Sequence, residues 1–120
     1  VDRACAGLLD FGQGLLGSFQ AGFNSPGNTF FRVIGRQATL EGPEGFSPRE
    51  RPGVLVLSKN GLSKRLTIPL ANPYMLEVQD FSEAVRGEHP LLYGADPLDA
   101  NMRVIDACFA ADKSGCAVIP

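Results

Sequence analysis

The sequence has few cysteines, one histidine, no long apolar run and no surplus of basic charge. The three cysteines are Cys5, Cys108 and Cys116, an odd number with no CxxC spacing. A small disulfide-stapled domain usually carries an even set, so the thiols read as reduced and intracellular, and a cytoplasmic location is expected. Cys5 and Cys108 sit in apolar patterns and read as small core residues. With His89 as the lone histidine, a zinc site built from His and Cys has no ligand set. No apolar run approaches the ~18 residues that a membrane span needs, and no basic-then-apolar leader is present, so no membrane partner is expected. Lys and Arg number 11 against 13 Asp and Glu, a net charge of −2. A nucleic-acid binder shows a basic excess, so that partner class is excluded too. GxSxG, P-loop and HExxH motifs are missing.

What is present is ordinary globular composition, 44% hydrophobic and 20% charged. A length of 120 residues fits one domain over 1–120, or a piece of one. Strand-like sequence starts at about Arg3, close behind Val1, as expected of a piece cut from a longer chain. Residues 3–9 read as a strand, and Asp10-Phe11-Gly12-Gln13-Gly14 as a hairpin turn. From Gly14 to Asn24 apolar residues alternate with polar ones, again a strand. Ser25-Pro26-Gly27-Asn28 is a turn before the β-branched and aromatic stretch 29–34, and a short strand follows at 38–41. Residues 42–53 form a Pro/Gly/charged loop. The strands 53–59 and 62–68 flank Asn60-Gly61, the strongest hairpin signal in the chain.

The period then changes. Asn72-Pro73 can open a helix, on which Tyr74, Val78, Phe81 and Val85 step by four, three and four, with Gly87 as the stop. Asp96-Pro97 repeats the opening, Leu98, Met102, Ile105 and Phe109 repeat the stripe, and Gly115 ends it. Residues 116–119 are expected to add a last strand. Strands followed by helices predict an α+β class: a predominantly antiparallel sheet with two C-terminal amphipathic helices on one face. Stretch 29–34 is apolar on both sides, Phe31 and Val33 one way, Phe30 and Ile34 the other, and Phe19 and Phe23 add to one face. Two helices shield one face only. Phe19, Phe23, Phe31 and Val33 are therefore candidates for a homo-oligomer interface.

Local chemistry is sparse. Gly12-Gln13-Gly14-Leu15-Leu16-Gly17 spells GxGxxG, but a dinucleotide site needs that turn to open a helix, and a strand follows here. His89, in Gly87-Glu88-His89-Pro90, reads as an exposed loop residue with no carboxylate placed beside it by pattern. Asp96 and Asp99 read as a helix cap and a dipole partner. Arg49 and Arg51 of the long loop could reach an anionic ligand, and Tyr93 could line a pocket wall; these three are the substrate-pocket candidates. No residue is assigned a catalytic role.

The helical half adds a further signal. Glu77, Phe81, Ala84, Val85, Arg86 and Gly87, then Asn101 to Ala107 and Ser114-Gly115, resemble the end of the glucose–fructose oxidoreductase, inositol dehydrogenase and rhizopine-catabolism family. Upstream, Gly14-Leu15-Leu16-Gly17-Ser18 and Val33-Ile34-Gly35 followed by Ala38-Thr39-Leu40 resemble its sheet strands, with Ala38 where many relatives have glycine. The resemblance implies the C-terminal portion of a two-domain oxidoreductase, which shapes a substrate pocket and pairs subunits. It implies NAD or NADP bound by an N-terminal Rossmann domain outside this chain, a sugar, polyol or related alcohol or carbonyl substrate, and no activity in these residues alone. The family's Glu-Lys-Pro lysine and its catalytic Asp/His segment precede the matched region, and His89 does not match the family histidine. The alternative is a stand-alone, non-enzymatic binding or assembly module.

Overall fold

The computed structural model describes residues 3–23, 29–45 and 51–120. The expected turn at 25–28 and residue Arg49 lie outside the described residues. Among the described residues six strands precede two helices: β1 Ala4–Asp10, β2 Leu16–Gly22, β3 Phe31–Ile34, β4 Thr39–Gly42, β5 Gly53–Lys59, β6 Leu62–Ile68, α1 Pro73–Val85 and α2 Ala95–Ser114. Every strand pair is antiparallel. The α+β class and the order of elements are as the periodicity predicts. The chain divides into two compact units, residues 24–76 and residues 1–23 with 77–120.

The strands form two sheets rather than one layer: a β1–β2 hairpin and a four-stranded meander β3-β4-β5-β6. Phe19 therefore belongs to the hairpin, with Phe23 just beyond it, and Phe31 and Val33 belong to the meander. Between β1 and β2, Gly12, Gln13 and Gly14 all take positive φ, of 78°, 53° and 79°. Glycine adopts that backbone without a side-chain penalty. Asp10 Oδ1 accepts the Gly12 N–H at 2.8 Å, and the Leu15 N–H donates to Gly12 O at 3.0 Å. The turn leads into a strand, so GxGxxG marks a hairpin here, as the sequence indicates. At Asn60-Gly61, φ values of 52° and 75° give the two-residue turn that joins Lys59 to its partner Leu62.

The meander corrects the two-sided apolar strand. Phe30 precedes β3 and is not part of it. Alternation along the paired strands puts Phe31, Val33, Leu40, Leu55, Leu57, Leu62, Leu66 and Ile68 on one face, joined by Lys59 and Lys64 at its Asn60-Gly61 end. The other face carries Arg32, Thr39, Glu41, Ser58, Ser63, Arg65 and Thr67 around Ile34, Val54 and Val56. Arg32 and Glu41, opposite each other, form an ion pair of 2.6 Å, and the hydroxyls of Ser58 and Ser63 share a hydrogen bond of 2.8 Å. The sheet is thus amphipathic, the ordinary pattern for an antiparallel sheet with one solvated side.

Aromatic rings cover glycines across the strands. Phe19 lies opposite Gly7, and a Cβ on Gly7 would come within 2.5 Å of that ring. Phe31 lies opposite Gly42, where a Cβ would collide with the ring, and Gly42 is itself buried. Such pairing gives the ring a flat surface and gives the glycine the cover it cannot supply.

Each helix starts and stops for a local reason. Asn72 Oδ1 accepts the N–H groups of Tyr74 at 3.1 Å and Met75 at 3.2 Å, a side-chain N-cap. At the other end of α1, Gly87 takes φ 78°; its N–H donates to Ala84 O and that of Glu88 to Glu83 O, both at 3.0 Å. This double reversal is a Schellman motif. Helix α2 begins two residues earlier than the sequence suggests. Its N-cap is Gly94, which makes no side-chain bond, and Asp96 sits inside the first turn. Pro97 is tolerated there because first-turn N–H groups have no helical acceptor. Gly115, at φ 67°, closes the helix on Ala111 O at 2.8 Å.

The expected strand at 116–119 does not form; these residues find no ladder partner. Neither helix has a buried residue, so both apolar stripes stay at the surface. Among the described residues no hydrophobic side chain is fully buried. Cys5 is exposed rather than a core residue, and Cys108 is half-buried. Among the described residues no helix is long and apolar enough to cross a membrane.

The ring-over-glycine pairs make a direct prediction. Gly42→Ala should cost about 1–3 kcal/mol in urea unfolding, the usual range for overpacking. Adding Phe31→Leu should recover part of that loss, and Gly7→Ala should behave the same way against Phe19.

Candidate functional site

The strongest cluster of polar groups grows from the end of α1. Asp80 and Glu83 are three residues apart and so share a helix face. The Schellman reversal at Gly87 turns the chain back along that face. His89 thereby reaches Glu83, with Nε2 3.1 Å from Oε2, and approaches Asp80, with Nδ1 3.9 Å from Oδ1. His89 Nδ1 lies 2.7 Å from the Pro90 carbonyl oxygen. The Leu92 N–H donates to Asp80 Oδ2 at 3.3 Å, a second tie between the connection and the helix. Gln79 donates to Glu83 Oε1 at 2.7 Å and fixes the carboxylate from the opposite side. Arg86 and Glu88 pair with each other at 2.5 Å beside the turn.

These contacts set the charges. The Pro90 carbonyl first, and then the Glu83 carboxylate, hold the His89 pKa above its ordinary value. The Gln79 amide first, and then His89, hold the Glu83 carboxyl below the usual carboxylate range. The two shifts run in opposite directions, toward a protonated ring and an ionised carboxyl. Both ring nitrogens are engaged, so His89 has no free lone pair to act as a general base without breaking a contact. This is not the isolated loop histidine expected from the sequence; the ring is half-buried, with 37% of its side chain exposed. Asp80 and Glu83 were missed because their meeting with His89 depends on the left-handed residue at 87. The available signal was Gly87 four residues after Glu83 and two before His89.

Beside the cluster lies an open recess of about 260 Å³ lined by Phe81, Ala84 and Val85 of α1 and by His89, Pro90 and Leu91 of the connection. Its walls are apolar apart from the imidazole. Tyr93 does not line it and is largely exposed. Arg51 is held by Glu44 at 2.7 Å. Of the interface candidates, Phe19 and Phe31 are the rings that cover Gly7 and Gly42, whereas Val33 is 58% and Phe23 86% exposed. Among the described residues no group of three or more His, Cys, Asp or Glu side chains is placed to hold a metal ion.

A nicotinamide dinucleotide does not fit the Gly12–Gly17 bend. A pyrophosphate site requires free N–H groups at a helix start. Here the Gly12 N–H is taken by Asp10, the Leu15 N–H by Gly12 O, and β2 follows.

Fold and site together define an α+β chain with antiparallel sheets, in which the Gly12–Gly17 bend is a hairpin. The chain is similar to D-xylose 1-dehydrogenase (NADP(+)) 2 of Haloferax volcanii, 27% identical over 120 residues. The match covers 98% of this chain and 37% of that protein's length, so the chain spans little more than a third of the relative and is related to part of a dehydrogenase. No protein-family profile and no solved structure matches the chain.

The charge pair predicts a titration. A raised folded-state pKa means that the stability contributed by His89 is fully present below its unfolded value of about 6.5 and is lost as pH rises through the folded value. NMR titration should place the His89 midpoint above about 6.5, and Glu83→Gln should move it downward.

Proposed function

We propose that this chain is the substrate-facing and subunit-pairing portion of an NAD(P)-dependent oxidoreductase of the glucose–fructose oxidoreductase and inositol dehydrogenase type. The whole protein moves a hydride between a nicotinamide and a carbon of a sugar, polyol or related alcohol or carbonyl compound. The observation that carries this reading is the match to an NADP-dependent xylose dehydrogenase along 98% of the chain, confined to 37% of that protein. The antiparallel fold supports it, because such a fold leaves the dinucleotide to a separate part of the protein. The residues here hold no reacting atom. Their part is to present surfaces: either Arg51 or Tyr93 toward an oxygen-rich substrate, and the apolar side of the meander, with Phe31 and Val33, toward a second copy. Phe19 and Phe23 offer the hairpin's apolar face in the same way. The setting is the reducing cytoplasm.

The test is to express the 120 residues alone and together with the coding sequence upstream of them. Calorimetry should find no micromolar NADP+ or NAD+ binding to the short chain. The longer protein should bind the dinucleotide and reduce it with a sugar such as D-xylose. Tight binding by the short chain, or an upstream region without a glycine-rich dinucleotide turn, would overturn the reading in favour of a non-enzymatic assembly module.

A further inference from the structure

The two walls of the recess belong to different segments. Phe81, Ala84 and Val85 stand on α1, while His89, Pro90 and Leu91 stand on the connection that leaves it. Besides the backbone reversal at Gly87, the connection is tied to α1 by His89 on Glu83 and by the Leu92 N–H on Asp80. These two ties join the segments that wall the recess.

The chemistry of the first tie is unusual in one respect. The Pro90 carbonyl can only accept a hydrogen bond, and so can an ionised carboxylate. A neutral imidazole carries one N–H and satisfies one of them. For both contacts of His89 to stand, at 2.7 Å to Pro90 O and 3.1 Å to Glu83 Oε2, a second proton has to lie between Nε2 and Oε2. Whether it is assigned to the ring or to the carboxyl, the bridge holds one proton more than a neutral histidine beside a carboxylate. Without it, the Nε2 lone pair faces the oxygen lone pairs of Glu83, which is repulsive. Asp80 also faces the ring and favours the proton, while Arg86, itself paired with Glu88, favours the ionised Glu83 carboxyl.

We propose that the connection between α1 and α2 is a proton-dependent clasp: one proton shared by His89 and Glu83 holds residues 88–92 against α1 and forms the recess, and its release to solvent lets them go. The clasp is independent of the oxidoreductase reading, since it requires only this chain. Asp80 keeps part of the tie in either state, so release loosens the connection and leaves α1 helical.

The test is NMR of the 120-residue protein from about pH 5.5 to about pH 8.5, following the ring nitrogens of His89 and the backbone signals of Glu88, Leu91 and Leu92. The backbone signals should shift with the His89 midpoint. The closed-to-open ratio of the connection should fall tenfold for every pH unit by which the clasped ring titrates above about 6.5. His89→Gln, which cannot carry the proton, should make these signals independent of pH, with the α1 signals at Met75 and Val78 unchanged as evidence of folding. Glu83→Gln should lower the His89 midpoint and weaken the coupled shift. Backbone signals that move with pH equally in His89→Gln, or that stay fixed while His89 titrates, would overturn the proposal.

Discussion

Backbone ladders hold this chain together, and that constraint shapes everything built on them. Among the described residues no hydrophobic side chain reaches full burial. The strands therefore depend on cross-strand partners: the N–H···O ladders, the Arg32–Glu41 ion pair, the Ser58–Ser63 hydroxyls and the rings over Gly7 and Gly42. A ladder bond nets only about 1 kcal/mol against water. Cover for the apolar face of the meander would add the hydrophobic term, about 25 cal/mol per Å². The energetic logic of the proposed subunit-pairing role lies there: association supplies what the isolated sheet lacks.

The end of α1 follows a different economy. Three consecutive features, the glycine at 87, the paired N–H groups of 87 and 88, and the return of His89, build the cluster from backbone geometry rather than from a folded core. Because the reversal is local, Asp80, Glu83 and His89 need only 10 residues of chain to meet. The apolar recess beside them is a consequence of the same reversal, which lays Pro90 and Leu91 opposite Phe81 and Val85.

Elements governed by period were legible in the sequence. Alternation placed β5 and β6 at their observed limits around Asn60-Gly61, and the steps of four, three and four placed α1, including its Asn72 cap. What depended on partners distant in sequence was not legible. Alternation within 29–34 could not tell that Phe30 lies outside β3, nor that Arg32 meets Glu41 on the far face. It could not divide the strands between two sheets, since a hairpin reads the same whether or not a third strand joins it. Residues 116–119 have strand-like composition but no partner, and a strand exists only as half of a pair. At Asp96 the cap signal was outweighed by Gly94, whose backbone takes the extended conformation at the cap position. His89 was misjudged because proximity through a left-handed residue leaves little trace in spacing.

The rings laid over glycine also act against mispairing. Slide β3 two places along β4 in one direction, and Phe31 meets Leu40 instead of Gly42; slide β2 likewise along β1, and Phe19 meets Cys5 or Leu9 instead of Gly7. A slip of one place turns every side chain to the wrong side. Each aromatic therefore works as a key with one seat, and nascent strands that zip up out of step are rejected before any larger assembly could lock the error in.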